Sequence, residues 1–340
     1  MLEEFAITPE IFWDDGTYPY LDKLLTFIWK YGMIADLNDG KALSNGISQL
    51  IKNNEVEGLS VDSIIKQLKN NNRIIDCPPS GDPQNPGEWL DLAISSPKKT
   101  EFFGVIASGE TLKSRNLTSD PFYISFPEGI KFGGNQNWQF FTESESVQII
   151  KSIKCYQNTL APILRNAKKI HFIDPYFNCW EQRYINTINI IHQLLNANSQ
   201  TQKKIFIHAG YDGEKNWFPG SRTSFKKGIT MWRDKVDDLA KSSTHKFSIV
   251  IWKIKPYPNN TRFHDRYILT DQCGIIVPYG FDCFNMQGAE TIWSMISNTQ
   301  RVRLLAKFDE EFNNGSSNSK SFQAGEYCFE NMFRYPLKEI

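Results

Sequence analysis

Apolar residues fall at helical spacing over residues 18–32, where Leu21, Leu24, Leu25, Ile28 and Trp29 share one side. Two shorter helices are predicted at 47–54 and 61–71, the second opened by Ser60 as a cap. A Pro/Gly loop fills 72–89, and 101–108 and 120–126 read as strands. After residue 140 the pattern changes. Thr142 and Glu145 form a capping box, followed by a helix with Val147, Ile150, Ile153, Leu160 and Leu164 on one side and Pro162 near its end. Strands and helices then alternate: a strand in 168–177, a helix over 181–196, a strand over 203–210, a basic amphipathic helix over 224–242 and a strand over 245–254. The segments 262–271, 274–280 and 301–308 read as three further strands without long helices between them, so that edge of the sheet is expected to be antiparallel or mixed. The fold class predicted is α/β: a mixed sheet flanked by helices over 141–340, preceded by an N-terminal α+β domain over 1–140.

Composition narrows the picture. Apolar residues make up 40% of the 340 and aromatics 14%, enough for two real cores. No run of 18 apolar residues occurs, so no membrane span is expected, and the acidic start MLEEFAITPE lacks the apolar stretch of a secretory signal. The six cysteines are scattered, without CxxC or Cys/His zinc spacing, which suggests free thiols in a cytoplasmic protein with no structural metal or cofactor. The net charge of zero hides a split. Residues 1–150 carry 12 Lys+Arg and 21 Asp+Glu, 12 − 21 = −9; residues 151–340 carry 26 and 17, 26 − 17 = +9. The basic half is suited to a polyanion, or the two halves attract each other.

The chemistry gathers in RFHDRYILTDQCGIIVPYGFDCFN, 262–285. Strand alternation puts His264 and Arg266 on one face, and an imidazole beside a guanidinium suits a phosphate or a buried polar pair. Asp271 completes the spacing His-x-Arg-x4-Asp, and Gly280 and Asn285 follow. This resembles the phospholipase D superfamily, whose signature is His-x-Lys-x4-Asp followed by a Gly and an Asn. The IDPYF turn (Asp174, Tyr176) and the segment after His264 are similar to one subset: the phospholipase D-like C-terminal domain of proteins carrying a microtubule-interacting and trafficking domain, with bacterial relatives. The resemblance covers about residues 165–310.

The resemblance implies a metal-independent phosphodiesterase. His264 would be the nucleophile, passing through a phosphohistidine, Arg266 the phosphate clamp, and Asp271 and Asn285 supports; Glu290 would hold the imidazole. Asp174, Tyr176 and Gly280 would shape the turn of the site, although Asp174 also suits a strand-to-helix cap. Two departures stand out: Arg266 replaces the family lysine, and Phe281 and Asp282 occupy places where small hydroxyl residues are usual. An aspartate there repels phosphate unless turned away. With a single motif, the second histidine must come from a homodimer. Both departures point toward an inactive or unusual site. His171 and His208, in apolar strands, read as core histidines. Arg222, Lys226, Lys227 and Arg233, near Trp217 and Phe218, form either a phosphate-tracking stripe or a solvated face. The function expected is a nuclease acting on nucleic acid, in bacterial defence against mobile DNA and with a protein partner encoded in the same operon. The alternatives are a non-catalytic module binding nucleic acid, anionic lipid or protein, and lipid phosphodiester hydrolysis.

Overall fold

A computed structural model of the chain describes residues 2–13, 18–97, 102–128, 146–197, 202–211, 224–256, 266–284, 289–309, 321–324 and 327–335. They divide into two units, Met1–Ser144 and Glu145–Ile340.

The first unit is built on a parallel sheet, β3–β2–β1–β4–β5, from β1 (Glu3–Ile7), β2 (Gly32–Asp36), β3 (Ile74–Asp76), β4 (Gly104–Ser108) and β5 (Tyr123–Phe126). Helix α1 (Tyr18–Tyr31) buries Leu21, Leu24, Leu25, Phe27 and Ile28 against it. The sequence suggested a small sheet beside separate helices; the strands are instead threaded between helices and run parallel throughout. β1 and β2 escaped pattern reading because strands inside a parallel sheet are covered on both faces and lack alternation, as the five buried residues of β2 illustrate; β3, a three-residue edge strand, is too short to carry a period. Helix α2 (Leu37–Asn53) starts with a turn in which Asn38, Asp39 and Gly40 are left-handed, and beyond it Asp36 Oδ1 accepts from Leu43 N at 3.0 Å. Helix α3 (Glu55–Asn70) is capped by Asn54, not by Ser60, which lies inside it. Two further helices, α4 (Pro86–Ser95) and α5 (Gly109–Ser114), complete the unit.

The second unit is a mixed sheet of nine described strands in the order β13–β14–β9–β8–β7–β10–β11–β12–β6. Its centre, β7 (Lys169–Ile173), β8 (Lys204–Tyr211) and β9 (Lys246–Pro256), is parallel. β10 (Tyr267–Thr270), β11 (Gly274–Ile276) and β12 (Glu290–Met295) continue it antiparallel, β10 and β11 as a tight hairpin. β6 (Ser146–Ile150) closes one side; β13 (Ser321–Ala324) and β14 (Tyr327–Tyr335) close the other.

Two elements differ from expectation. Residues 146–150 form strand β6 and not the start of a helix, because they pair with β12. The helix, α6 (Ile153–Arg165), begins later, where Ser152 Oγ accepts from Cys155 N at 3.3 Å; Pro162 lies within its last turn. Thr142 and Glu145 fall outside the described residues. Residues 301–308 are not a strand but part of helix α9 (Asn298–Phe308), which Ser297 opens by accepting from Gln300 N. Its buried positions Arg301, Leu305 and Phe308 follow the helical period, and a run this short fits either period until the cap is recognised.

Helices α6, α7 (Gln182–Ala197) and α8 (Phe225–Lys241) bring Tyr156, Tyr184 and Trp232 to an aromatic core with Phe172, Phe177, Phe281 and Trp293. On the opposite face Leu305 and Phe308 of α9 pack on Ile173, Phe206, Val250, Trp252, Tyr267 and Leu269. Among the described residues no helix is long and apolar enough to cross a membrane, and Cys77, Cys155, Cys179, Cys273 and Cys283 are free thiols.

Lys203 is 1% exposed and closes the end of α6, its Nζ donating to the carbonyls of Arg165 at 2.6 Å and Ala167 at 2.9 Å. Burial pushes its ammonium down to about 8, against the pull of the Asp271 carboxylate. The unfolded chain therefore binds a proton that the folded chain lacks between about 8 and the ordinary lysine value, so stability rises with pH there. In urea melts, the stability difference between wild type and Lys203→Met is expected to change in favour of wild type across that window, by about 1–3 kcal/mol.

Candidate functional site

The residues that carry the motif meet at one end of the central strands. The chain leaves β7 through Asp174, whose Oδ1 accepts from Tyr176 N at 2.9 Å, an Asx turn that redirects it toward α7. Asp174 is fully buried. Antiparallel pairing of Tyr267 with Ile173 sets Arg266, the residue just before β10, beside it. Arg266 Nε donates to Asp174 Oδ1 at 3.1 Å, its Nη1 donates to the Pro278 carbonyl, and its guanidinium lies 4.7 Å over the Tyr176 ring. Burial pushes the Asp174 carboxyl up; the Arg266 charge, the N–H groups of Tyr176 and Phe281 and the bond from Arg266 pull it back.

The third wall is the turn after β11. Phe281 N donates to Asp174 Oδ2 at 3.2 Å. Gly280 has φ +81°, and a Cβ there would stand 2.9 Å from Asp174 Oδ2 and 3.2 Å from Arg266 Nε. Glycine is thus required both by the left-handed backbone and by the closeness of the ion pair. Helix α7 clasps the same turn: Thr187 Oγ1 donates to the Phe281 carbonyl, Asn186 Nδ2 to the Cys283 carbonyl at 3.1 Å, and Cys283 N to the Arg183 carbonyl at 3.0 Å.

Asp282 does not stand free. Lys151, just after β6, donates from Nζ to Asp282 Oδ1 at 2.6 Å and to the Tyr279 carbonyl at 2.9 Å. Both side chains are about nine-tenths buried, at 9% and 11% exposure. Tyr156 OH donates to the Asp282 carbonyl at 3.2 Å. The like-charge objection raised by an aspartate at this position is therefore met by a cation 131 residues earlier in the chain. Phe281 is fully buried in the aromatic core.

The other candidates lie elsewhere. Asp271 is at the far end of β10, about 16 Å from Arg266 at the rise of an extended strand. There its Oδ1 accepts from Lys168 N at 3.0 Å and Lys169 N at 3.4 Å, and burial raises its carboxyl. It ties β10 to the start of β7 and cannot reach a group beyond Arg266. Glu290 is exposed at the start of β12 and accepts from Gln148 Nε2 of β6. Lys226, Lys227 and Arg233 lie on the exposed side of α8, Arg233 over the Tyr335 ring at 5.5 Å. That helix also carries Asp234, Asp237 and Asp238, so its balance is 5 − 3 = +2. His264, Asn285 and Arg222 lie outside the described residues. Among the described residues no group of three or more His, Cys, Asp and Glu is placed to hold a metal ion.

Sequence reasoning missed Lys151, Asn186 and Thr187. None lies near the motif in sequence; each contacts the turn only through tertiary packing. The available signal was Asp282 itself, a carboxylate in an apolar context that demands a partner.

No protein-family model matches the chain, and no curated protein matches it. Among solved structures, it is similar to phosphatidylserine synthase of Haemophilus influenzae Rd KW20, at 12% identity over 48% of this chain and 36% of that one, with a TM-score of 0.31. It is also similar to TrmBL2, an archaeal chromatin protein, at 12% identity over 79% of this chain and 84% of that one, with a TM-score of 0.26. The chain thus spans about a third of the length of the synthase. Both TM-scores lie below 0.5, so neither likeness bears on what this chain does.

The geometry sets two expectations. Gly280→Ala is expected to lower stability by about 1–3 kcal/mol, from left-handed strain and the clash with Asp174, as a shift of the urea midpoint at constant slope. Lys151→Met should cost about 3–5 kcal/mol by stranding Asp282, and the double variant Lys151→Met/Asp282→Asn should recover most of that loss.

Proposed function

We propose that the second unit is a phospholipase D-like phosphodiesterase that acts on nucleic acid without a metal, with His264 as nucleophile in a homodimer that supplies the second histidine. The observation that carries this reading is the joining of the IDPYF turn, Arg266 and Gly280 at one end of β7 and β10, since the turn and the glycine are elements of the resemblance and Arg266 stands at the place of the family lysine. The neutralisation of Asp282 by Lys151 removes a charge that would oppose a phosphate. The +9 balance of residues 151–340 (26 − 17) and the exposed Lys226 and Lys227 favour a polyanionic substrate.

In this reading the imidazole attacks phosphorus, the nucleotide oxygen leaves with a proton from the partner's His264, and water then hydrolyses the phosphohistidine. Arg266 acts chiefly as an anchor, because Nε and Nη1 are directed inward to Asp174 and Pro278.

That inward commitment also favours a second reading, a non-catalytic module that holds nucleic-acid phosphates without cleaving them. One experiment separates them. Plasmid or RNA is incubated with purified protein in EDTA; wild type is expected to cleave, and His264→Ala to be slower by about a hundredfold or more. Equal behaviour of the two proteins, with nucleic-acid binding that weakens steeply with salt, would establish the module instead. A strictly monomeric protein that still cleaves would rule out the shared two-histidine site.

A further inference from the structure

A string of polar groups crosses the face of the second sheet that α9 covers. Lys169 Nζ donates to Asp309 Oδ2 at 2.8 Å, and His171 Nε2 stands 3.7 Å from the same oxygen. His171 Nδ1 and His208 Nε2 are 3.0 Å apart, and Trp252 Nε1 donates to His208 Nδ1 at 2.9 Å. His171 and His208 are each 1% exposed, Trp252 3% and Asp309 5%. The string joins β7, β8 and β9 to the residue that follows α9, and Asp309 N itself closes the helix on the Leu305 carbonyl at 2.8 Å. Phe206 stacks on His171 at 4.6 Å and Phe308 meets His208 edge-on at 5.5 Å, so apolar rings flank the polar path.

The indole fixes every proton along it. Indole N–H only donates, so His208 Nδ1 must be bare. His208 then carries its proton on Nε2 and donates to His171 Nδ1, which must be bare in turn. His171 therefore carries its proton on Nε2, toward the Asp309 carboxylate. Both rings are neutral, and each bare nitrogen already faces a donor. An additional proton has no place without breaking the His208 to His171 bond or the Trp252 to His208 bond. Asp309 works in the opposite direction. Burial by itself would raise its carboxyl, but the His171 N–H and the bond and charge of Lys169 hold it well below the usual carboxylate range. It remains an anion where imidazoles titrate, and so attracts the proton that the indole forbids.

We propose that this string is an acid-sensitive latch that holds α9 against the sheet and releases it when the histidine pair takes up a proton. The unfolded or opened chain accepts that proton freely. The latch is therefore complete above the imidazole range and is lost as pH falls through it. Among the described residues the charged groups beside it are Lys169 and Asp309 at its end. The same face also receives, from α9, Arg301, which donates to the Thr270 carbonyl and the Asn298 side chain; Arg303 of that helix is exposed. Side chains of β9 beyond Trp252 and of β14 before Tyr335 lie outside the described residues. The latch also touches the candidate site, since Asp174 N donates to the His208 carbonyl at 3.1 Å. It does not rest on any role for His264.

Hydrogen exchange of the α9 amides in the full chain tests it. After correction for the intrinsic pH dependence, exchange at about pH 5.5 is expected to be about tenfold faster than at about pH 7.5. In Trp252→Phe, His208 Nδ1 no longer faces a donor, the pair can take a proton in place, and the acid step should fall to about threefold or less. No acid step in wild type, or an undiminished one in Trp252→Phe, would overturn the latch. Nitrogen NMR of the wild-type rings at neutral pH provides a check that needs no variant. Both should be bare at Nδ1 and protonated at Nε2, and an Nδ1 proton on either ring would sink the proposal.

Discussion

The second unit depends on a carboxylate that has no contact with water. Asp174 is fully buried, and an isolated ion there would be too costly to keep. Its two oxygens are therefore supplied from three separate segments: the Tyr176 N–H of its own turn, the Arg266 guanidinium just before β10 and the Phe281 N–H after β11. Such an arrangement adds little net stability compared with an apolar replacement, but it penalises every alternative placement of those segments. The result is specificity. A turn, a strand and a loop 107 residues apart have one mutual arrangement in which the charge is satisfied.

The same logic recurs at each polar group the fold has taken inside. Asp282 is acceptable because Lys151 reaches it, Lys203 because it closes the end of a helix, and Asp271 because the backbone of 168 and 169 turns toward it. These contacts lie at strand ends, where the pleated sheet leaves backbone groups to satisfy. They also divide the motif. Arg266 belongs to the Asp174 end of β10 and Asp271 to the opposite end, so residues that are neighbours in the signature perform separate tasks, one at the candidate site and one at the base of the sheet.

The sheet's two faces are organised differently. The face under α6, α7 and α8 is closed by aromatic rings around Phe177 and Phe281, and it carries Asp174 and Arg266 at its rim. The face under α9 combines an apolar patch with the string from Lys169 to Trp252. Pairing of Ile173 with His208 in β7 and β8 places the two features one residue apart on adjoining strands.

Helical periodicity in the chain by itself determined α1, α7 and α8, and β7, β8 and β9 were legible as short apolar runs set between those helices. The chain also determined that His264, Arg266 and Asp271 share a spacing, and that His171 and His208, lying in apolar strands, needed partners. Tertiary structure decided the remainder. β1 and β2 carry no alternation because both faces are covered; 146–150 became a strand because β12 lay alongside; and 301–308 became helical because Ser297 caps it. The partners of Asp282, Asp174 and His208 come from 131, 92 and 44 residues away. A sequence can announce that a buried charge or imidazole must be satisfied, since that follows from the cost of desolvation. Which group satisfies it depends on which strands lie side by side, and that is a property of the folded sheet.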